Sequence, residues 1–218
     1  MKLVLKFGGT SLASPKDIIG VAKTVVSFSK DNEIVVVCSA VDGVTDDLIL
    51  ISEMIEQRKK DAAAKVLDEL IKKHRKLADQ TIKNSTIKKQ LLEKLSTDVS
   101  ELQELVRGLT LLKEVSARSL DYLVSFGERL SDDLVSFALQ DLKKKSTALN
   151  GKEVGIVTDS NFGESRPLMD TTKIRISKTL GSLLSKKIIP VVGGFAGADQ
   201  HGNITTFGRG GSDYTATI

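Results

Sequence analysis

The chain has no tryptophan, one cysteine, three prolines and an aromatic content of only 4%. Each shortage excludes something. With so few aromatic platforms there is little for bases to stack on, so a nucleic acid is not expected as a partner. Cys38 has no second cysteine to bond with, which rules out an internal disulfide and fits a reducing compartment, the cytoplasm. It lies in the apolar run from Glu33 to Ala40 and reads as a small buried residue rather than a reactive thiol. No apolar run approaches the ~18 residues of a membrane span, so no membrane partner is expected. The N-terminus enters a strand pattern directly, without a signal-like apolar region. A strong charge of either sign is missing too. The net charge is +4, and the lysines are spread along helix-like segments as solvated faces.

What remains is an ordinary globular composition, 40% hydrophobic and 28% charged over 218 residues. That length suits one large α/β domain or two small ones. Glycine stands out by position. Lys6-Phe7-Gly8-Gly9-Thr10-Ser11 lies near the start, and Gly208-Arg209-Gly210-Gly211-Ser212-Asp213-Tyr214 lies near the end, close to Gly193, Gly194, Gly197 and Gly202. Glycine lets backbone N–H groups approach an anion, and a neighbouring Lys or Arg neutralises its charge. The two turns therefore suggest phosphate handling. Neither fits the usual dinucleotide or Walker pattern.

The periodicity supplies a frame. Leu3 to Phe7 reads as a buried strand ending in the first Gly-Gly turn. Ser14 then caps a helix with Pro15 at its first position, and Ile34 to Cys38 is a second buried strand. Strand, helix, strand makes a right-handed βαβ unit with parallel strands. From about 48 to 142 the pattern is helical throughout, with breaks expected at Asn84 and Gly108 and a last helix over 115–142. This stretch reads as a helical insertion in the α/β core. Strands follow at Ser146–Leu149, Val154–Val157 and Ile188–Val192, with a helix over 172–187 before the last. Asp199 to Asn203 reads as a hairpin turn before the short strand Ile204–Phe207, and Ser212 reads as the cap of a helix that the chain barely enters.

Five ordered motifs then resemble the aspartate kinase branch of the amino acid kinase superfamily. They are Lys6–Ser11, Ser39-Ala-Val-Asp-Gly-Val-Thr-Asp-Asp-Leu48, Ser125-Phe-Gly-Glu-Arg-Leu-Ser131, Gly193–Gly197 and Thr205–Thr215. The resemblance implies an open, mainly parallel sheet sandwiched by helices. It implies an enzyme that uses ATP and Mg²⁺ to phosphorylate the side-chain carboxylate of L-aspartate, opening the route to lysine, threonine and methionine. It also implies a homo-oligomer in full-length form. Much of the family's nucleotide-binding half and its regulatory domains would come after these motifs. Residues 1–218 are accordingly expected to be the N-terminal part of a catalytic domain, inactive by itself. A second reading stays open, in which the chain is a non-catalytic amino-acid-binding or assembly module that kept the substrate half.

The resemblance also assigns roles. Lys6 would face the transferring phosphoryl group, with Gly8, Gly9, Thr10 and Ser11 donating around it. Arg209 would grip a substrate carboxylate, since a guanidinium fork matches one bidentately. Ser212 and Asp213 would position substrate and the Mg²⁺–phosphate assembly, and no separate protein metal site is expected. Ser39 and Thr45 would hydrogen-bond substrate, with Phe195 contributing backbone and packing. Glu128 is the most telling residue on physical grounds. It shares a helical stripe with Val124, Ser131 and Val135, so a carboxylate there is half-buried and wants a cation. The family's answer is the ammonium group of the substrate.

Overall fold

A computed structural model describes residues 1–208 and 210–218. Strand β1 (Lys2–Phe7) leads through a short 3-10 turn (Gly9–Leu12) into helix α1 (Pro15–Phe28) and back into β2 (Glu33–Cys38). Ser14 caps α1, its hydroxyl accepting from the Asp17 N–H, with Pro15 in the first turn. β1 and β2 are parallel neighbours, as the βαβ pattern requires. Four helices follow, α2 (Val44–Glu56), α3 (Lys60–Thr81), α4 (Ser85–Leu112) and α5 (Ala117–Asp141). Then come β3 (Ser146–Leu149), α6 (Gly151–Val154), α7 (Met169–Ser185), β4 (Ile189–Gly193), β5 (Ala196–Ala198), β6 (Ile204–Thr206) and α8 (Gly211–Thr215).

β1 to β4 form an all-parallel sheet in the order β1-β2-β4-β3, and β5 pairs with β6 as a separate antiparallel hairpin. The faces of the sheet follow from the two-residue period of a strand. Ile34, Val36 and Cys38 of β2, with Ile189 and Val191 of β4, join the main core with α1 and α5. Val35 and Val192 join Ile176 and Leu180 of α7 on the other face. The expected sheet between helix layers is therefore present.

Three expectations change. The predicted strand at 154–157 does not form: Val154 ends α6, Gly155 terminates that helix at φ +106°, and Ile156 and Val157 lie outside any strand of the sheets. Only Val157 makes an isolated parallel bridge, to Ala198. The expected break at Gly108 lies inside α4, which ends at Lys113 in the left-handed region (φ +58°). And α5 is more than part of an insertion. It packs on β3, β4 and β6 as well as on α4, and one continuous core runs from Val36 in the sheet to Leu109 in α4. The hairpin turn at 199–203 is as expected. Asp199 ties it, its Oδ1 accepting from the His201 and Asn203 N–H groups at 2.9 Å each.

Candidate functional site

A cleft of about 530 Å³ opens where the carboxyl ends of β1, β2 and β4 meet the N-terminal half of α5. Ser39, Thr45, Glu128, Phe195, Ser212 and Gly9 line it. The size is ordinary for a small-molecule site, and strand carboxyl ends are where open α/β sheets bind ligands.

The local sequence explains the convergence. A Cβ on Gly9 would stand 2.8 Å from the Ala40 carbonyl oxygen, so glycine lets the first loop touch the second. Gly127 brings α5 onto that same loop, where a Cβ would meet Ala40 Cβ at 3.0 Å. Ser131 then fixes the register by donating to the Ser39 carbonyl oxygen at 2.8 Å. At the chain's other end, a Cβ on Gly194 would lie 2.7 Å from the Cα of Ser212, and Thr215 Oγ1 donates to the Gly194 carbonyl oxygen at 2.6 Å. These contacts bring the Ser39 and Ser212 hydroxyls within 2.7 Å of each other. Ser212 is not the cap of α8 that the sequence suggested. Gly210, at φ +85°, holds that position, which leaves the Ser212 hydroxyl free for Ser39.

Glu128 lies on the cleft wall, only 5% exposed and more deeply buried than expected. The Phe195 N–H donates to its Oε2 at 2.5 Å. Burial pushes its pKa up to about 8, against the pull of that N–H and of Lys6. An unliganded Glu128 is thus close to neutral at physiological pH, and an entering cation would ionise it. Its neighbour Arg129 serves structure. It sits over the Phe126 ring and bonds Asp98 and Glu101 of α4.

Lys6, Gly8, Thr10, Ser11 and Asp213 stand outside the cleft lining. Lys6 and Asp213 form an ion pair at 2.6 Å. Gly8 lies under this pair, where a Cβ would come 3.9 Å from Lys6 Nζ. Thr10 is exposed and Ser11 is half-buried within the 3-10 turn, its N–H donating to the Gly8 carbonyl oxygen. Arg209 lies outside the described residues. The chemistry of the pair suits a metal-bound phosphate. A lysine neutralises phosphate oxygens, and Mg²⁺ commonly takes one or two carboxylates with the remaining ligands from phosphate and water. Among the described residues there is no cluster of three or more metal-ligating side chains.

The sequence reading missed Asp121. One turn above Val124 on the same stripe, it accepts from the N–H groups of Gly163 and Thr206, both at 2.9 Å, and from the Thr206 hydroxyl at 2.7 Å. It thereby pins the hairpin and the 159–168 loop over the cleft. The spacing 121, 124, 128, 131 carried the signal.

Fold and cleft together define an α/β protein with a cleft of small-molecule size at its strand ends. Residues 1–218 match the amino acid kinase family, and the chain belongs to it. Among curated relatives it is 34% identical to the chloroplastic aspartokinase 3 of Arabidopsis thaliana over 216 residues, which is 98% of this chain and 37% of that protein. Among solved structures it superposes on E. coli aspartokinase III in complex with lysine and aspartate (TM-score 0.86, 26% identity, 97% of this chain and 45% of that one). It also superposes on E. coli aspartokinase III in complex with aspartate and ADP (TM-score 0.79, 26% identity, 99% of this chain and 45% of that one). The chain spans less than half the length of each of these proteins. No helix among the described residues is long and apolar enough to cross a membrane.

Proposed function

We propose that this chain carries the substrate half of an aspartate kinase. The observation that carries the reading is the convergence of Ser39, Thr45, Glu128, Phe195 and Ser212 on one cleft beside the Lys6–Asp213 pair. Similarity to the aspartate- and ADP-bound E. coli enzyme supports it.

In this reading Glu128 receives the ammonium group of L-aspartate, and Ser39, Thr45 and Ser212 hydrogen-bond the ligand. Arg209, in the matching motif, grips a carboxylate. The attacking oxygen belongs to the side-chain carboxylate, which is already a nucleophile, so no general base is needed. It forms a bond to the γ-phosphorus of ATP while the bond from that phosphorus to the bridging oxygen breaks, giving 4-phospho-L-aspartate and ADP. Bringing an anion to a polyanion is the obstacle, so the protein's work is positioning and charge neutralisation. Lys6 would face the moving phosphoryl group, Gly8, Gly9, Thr10 and Ser11 would donate around it, and Ser212 and Asp213 would help place substrate and the Mg²⁺–phosphate assembly. In this reading Lys6 is the phosphate-facing cation, the chain spans less than half the length of its relatives, and the working enzyme is a homo-oligomer.

The test is a turnover assay on the natural-length protein with Mg²⁺–ATP. L-aspartate should drive ADP release, and hydroxylamine should trap the acyl phosphate as a hydroxamate. ADP release without a trapped hydroxamate, or no response to L-aspartate, overturns the reading.

A further inference from the structure

Next to Glu128 on the same face of α5, but outside the cleft lining, lies a second carboxylate that the proposed reaction does not use. Asp132 is one turn further along the helix and 1% exposed. Neither of its oxygens has a hydrogen-bond partner among the described residues. Buried polar groups are almost always satisfied, so two orphaned oxygens on one side chain call for a partner. The place for it is adjacent. Glu128 and Asp132 both line a small, partly open hollow of about 40 Å³, together with Ser125, Asn150 and Gly193. Such a space holds a water molecule, for which roughly 10–15 Å³ is enough. The two carboxylates crowd the same glycine. A Cβ on Gly193 would stand 2.7 Å from Asp132 Oδ2 and 3.2 Å from Glu128 Oε2.

We propose that Asp132 is a positioning residue for Glu128, donating its own carboxyl proton through a water in this hollow so that Glu128 holds its charge toward a substrate cation. The proposal rests on the reading of Glu128 as the ammonium ligand. Its logic is the asymmetry of the two sites. Glu128 faces the cleft, where a cation can enter, and it has the Phe195 N–H. Asp132 faces only the hollow and a narrow space of about 200 Å³ on the α4 side. Of the pair, Asp132 is the one that stays protonated. The groups around it agree. Glu128 and Asp133 on α5 and Glu153 on α6 are acidic, and each pushes its pKa further up after burial has raised it well above the carboxylate range. The Cys38 thiol at the end of β2 is itself held neutral by burial. The nearby cations are engaged elsewhere, Lys94 with Asp98 and Asp133, Arg129 with Asp98 and Glu101, and Lys6 with Asp213. A neutral acid beside a carboxylate is a donor, and donors to charged groups are the strong ones.

The test compares Asp132→Leu and Asp132→Asn in the natural-length protein. Asp132→Leu fills the space but cannot donate. It should raise the KM for L-aspartate about tenfold or more with kcat within about threefold, and move the acid limb of kcat/KM to higher pH. Asp132→Asn keeps an N–H donor and should restore KM to within about threefold. A purely structural role would not shift the pH limb. In the wild type, absolute infrared spectra recorded with and without L-aspartate should both show a protonated carboxyl band that Asp132→Asn abolishes. This measurement serves even if the leucine variant fails to fold. An unchanged KM and pH limb in Asp132→Leu, an Asn variant as damaged as the Leu one, or no such band overturns the proposal. Glu128→Gln separates the two readings. If it raises KM while Asp132→Leu does not, only the role of Asp132 falls. If Glu128→Gln leaves KM unchanged, the ammonium-binding role of Glu128 falls with it.

Discussion

Lys6 and Asp213 meet at 2.6 Å although they come from the first strand and the last helix of the chain. The pair is solvent-accessible, with the side chains 27% and 71% exposed, so it contributes little to stability. In the proposed reading its interest lies in what each partner would do once a phosphate enters. Lys6→Ala should therefore leave thermal stability nearly unchanged while lowering kcat at least tenfold in the natural-length enzyme. The KM for L-aspartate should move by less than about threefold, because the lost interaction belongs to charge that moves during transfer. Initial-rate kinetics decide it. A kcat within about threefold of wild type would make Lys6 a strand-end residue with no part in transfer.

Arg209→Ala should raise the KM for L-aspartate roughly 30- to 1000-fold with ATP affinity nearly unchanged, the range expected for losing one partner of a desolvated charged pair. The motivation is its place in the Gly208–Tyr214 motif. Steady-state kinetics with each substrate varied in turn are the check, and an unchanged KM removes Arg209 from the site.

His74 gives a pH prediction away from the site. It is buried in α3, its Nδ1–H donates to the Leu70 carbonyl oxygen at 2.9 Å, and its Nε2 has no partner among the described residues. Burial lowers its pKa to about 4, from an ordinary value of 6.5. The unfolded chain therefore binds a proton between pH 6.5 and 4 that the folded chain refuses. Stability is intact above pH 6.5 and falls as pH drops, by about 2 kcal/mol on reaching pH 5. Thermal melts from pH 7 to 5 should show this slope, and His74→Met should flatten it. Identical slopes in both proteins would show that other groups set the acid sensitivity.

Two glycines should resist substitution for different reasons. A Cβ on Gly151 would come 1.7 Å from the Ala196 carbonyl oxygen, where only backbone movement gives relief. Gly151→Ala should cost at least about 3 kcal/mol, at or beyond the top of the usual overpacking range. Gly194→Ala would push against the Cα and Cβ of Ser212 at 2.7 Å. It should part Ser39 from Ser212 and damage L-aspartate KM along with stability. Denaturant melts and kinetics on both variants are the measurements. A Gly194→Ala variant with wild-type KM would mean that the Ser39–Ser212 contact does not shape the cleft.

Most of the sheet was legible because buried parallel strands are short continuous apolar runs, and Ile34 to Cys38 and Ile188 to Val192 stand out as such. α1 announced itself through Ser14 and Pro15. The apolar run at 154–157 misled because four such residues do not distinguish a strand from a helix end. The capping box of Asn150 and Glu153 was visible in the sequence and points to helix. Gly108 misled because an interior glycine costs a helix only about 1 kcal/mol, which tertiary packing overrides. α4 ends at Lys113, a residue type with no stop signal. In the site, the motifs gave Ser39, Thr45, Glu128 and Ser212, which the fold gathers around one cleft. Asp132 was illegible because a polar letter in an apolar stripe does not reveal whether its partner is solvent, a cation or an enclosed water.

The 25 residues of α5 leave few positions on the surface. Glu128 and Asp121 face the cleft side, Asp132 the hollow, Arg129 the ion pairs to α4, and Phe126, Leu130 and Leu134 the centre of the core. Every side of this helix is committed to a neighbour. A saturation library over the chain should therefore show its narrowest band of acceptable letters between 121 and 139, with tolerance returning abruptly in α7, where Thr172 is the one buried residue. Sequence drift in this protein has room on its outer helices and very little along this one.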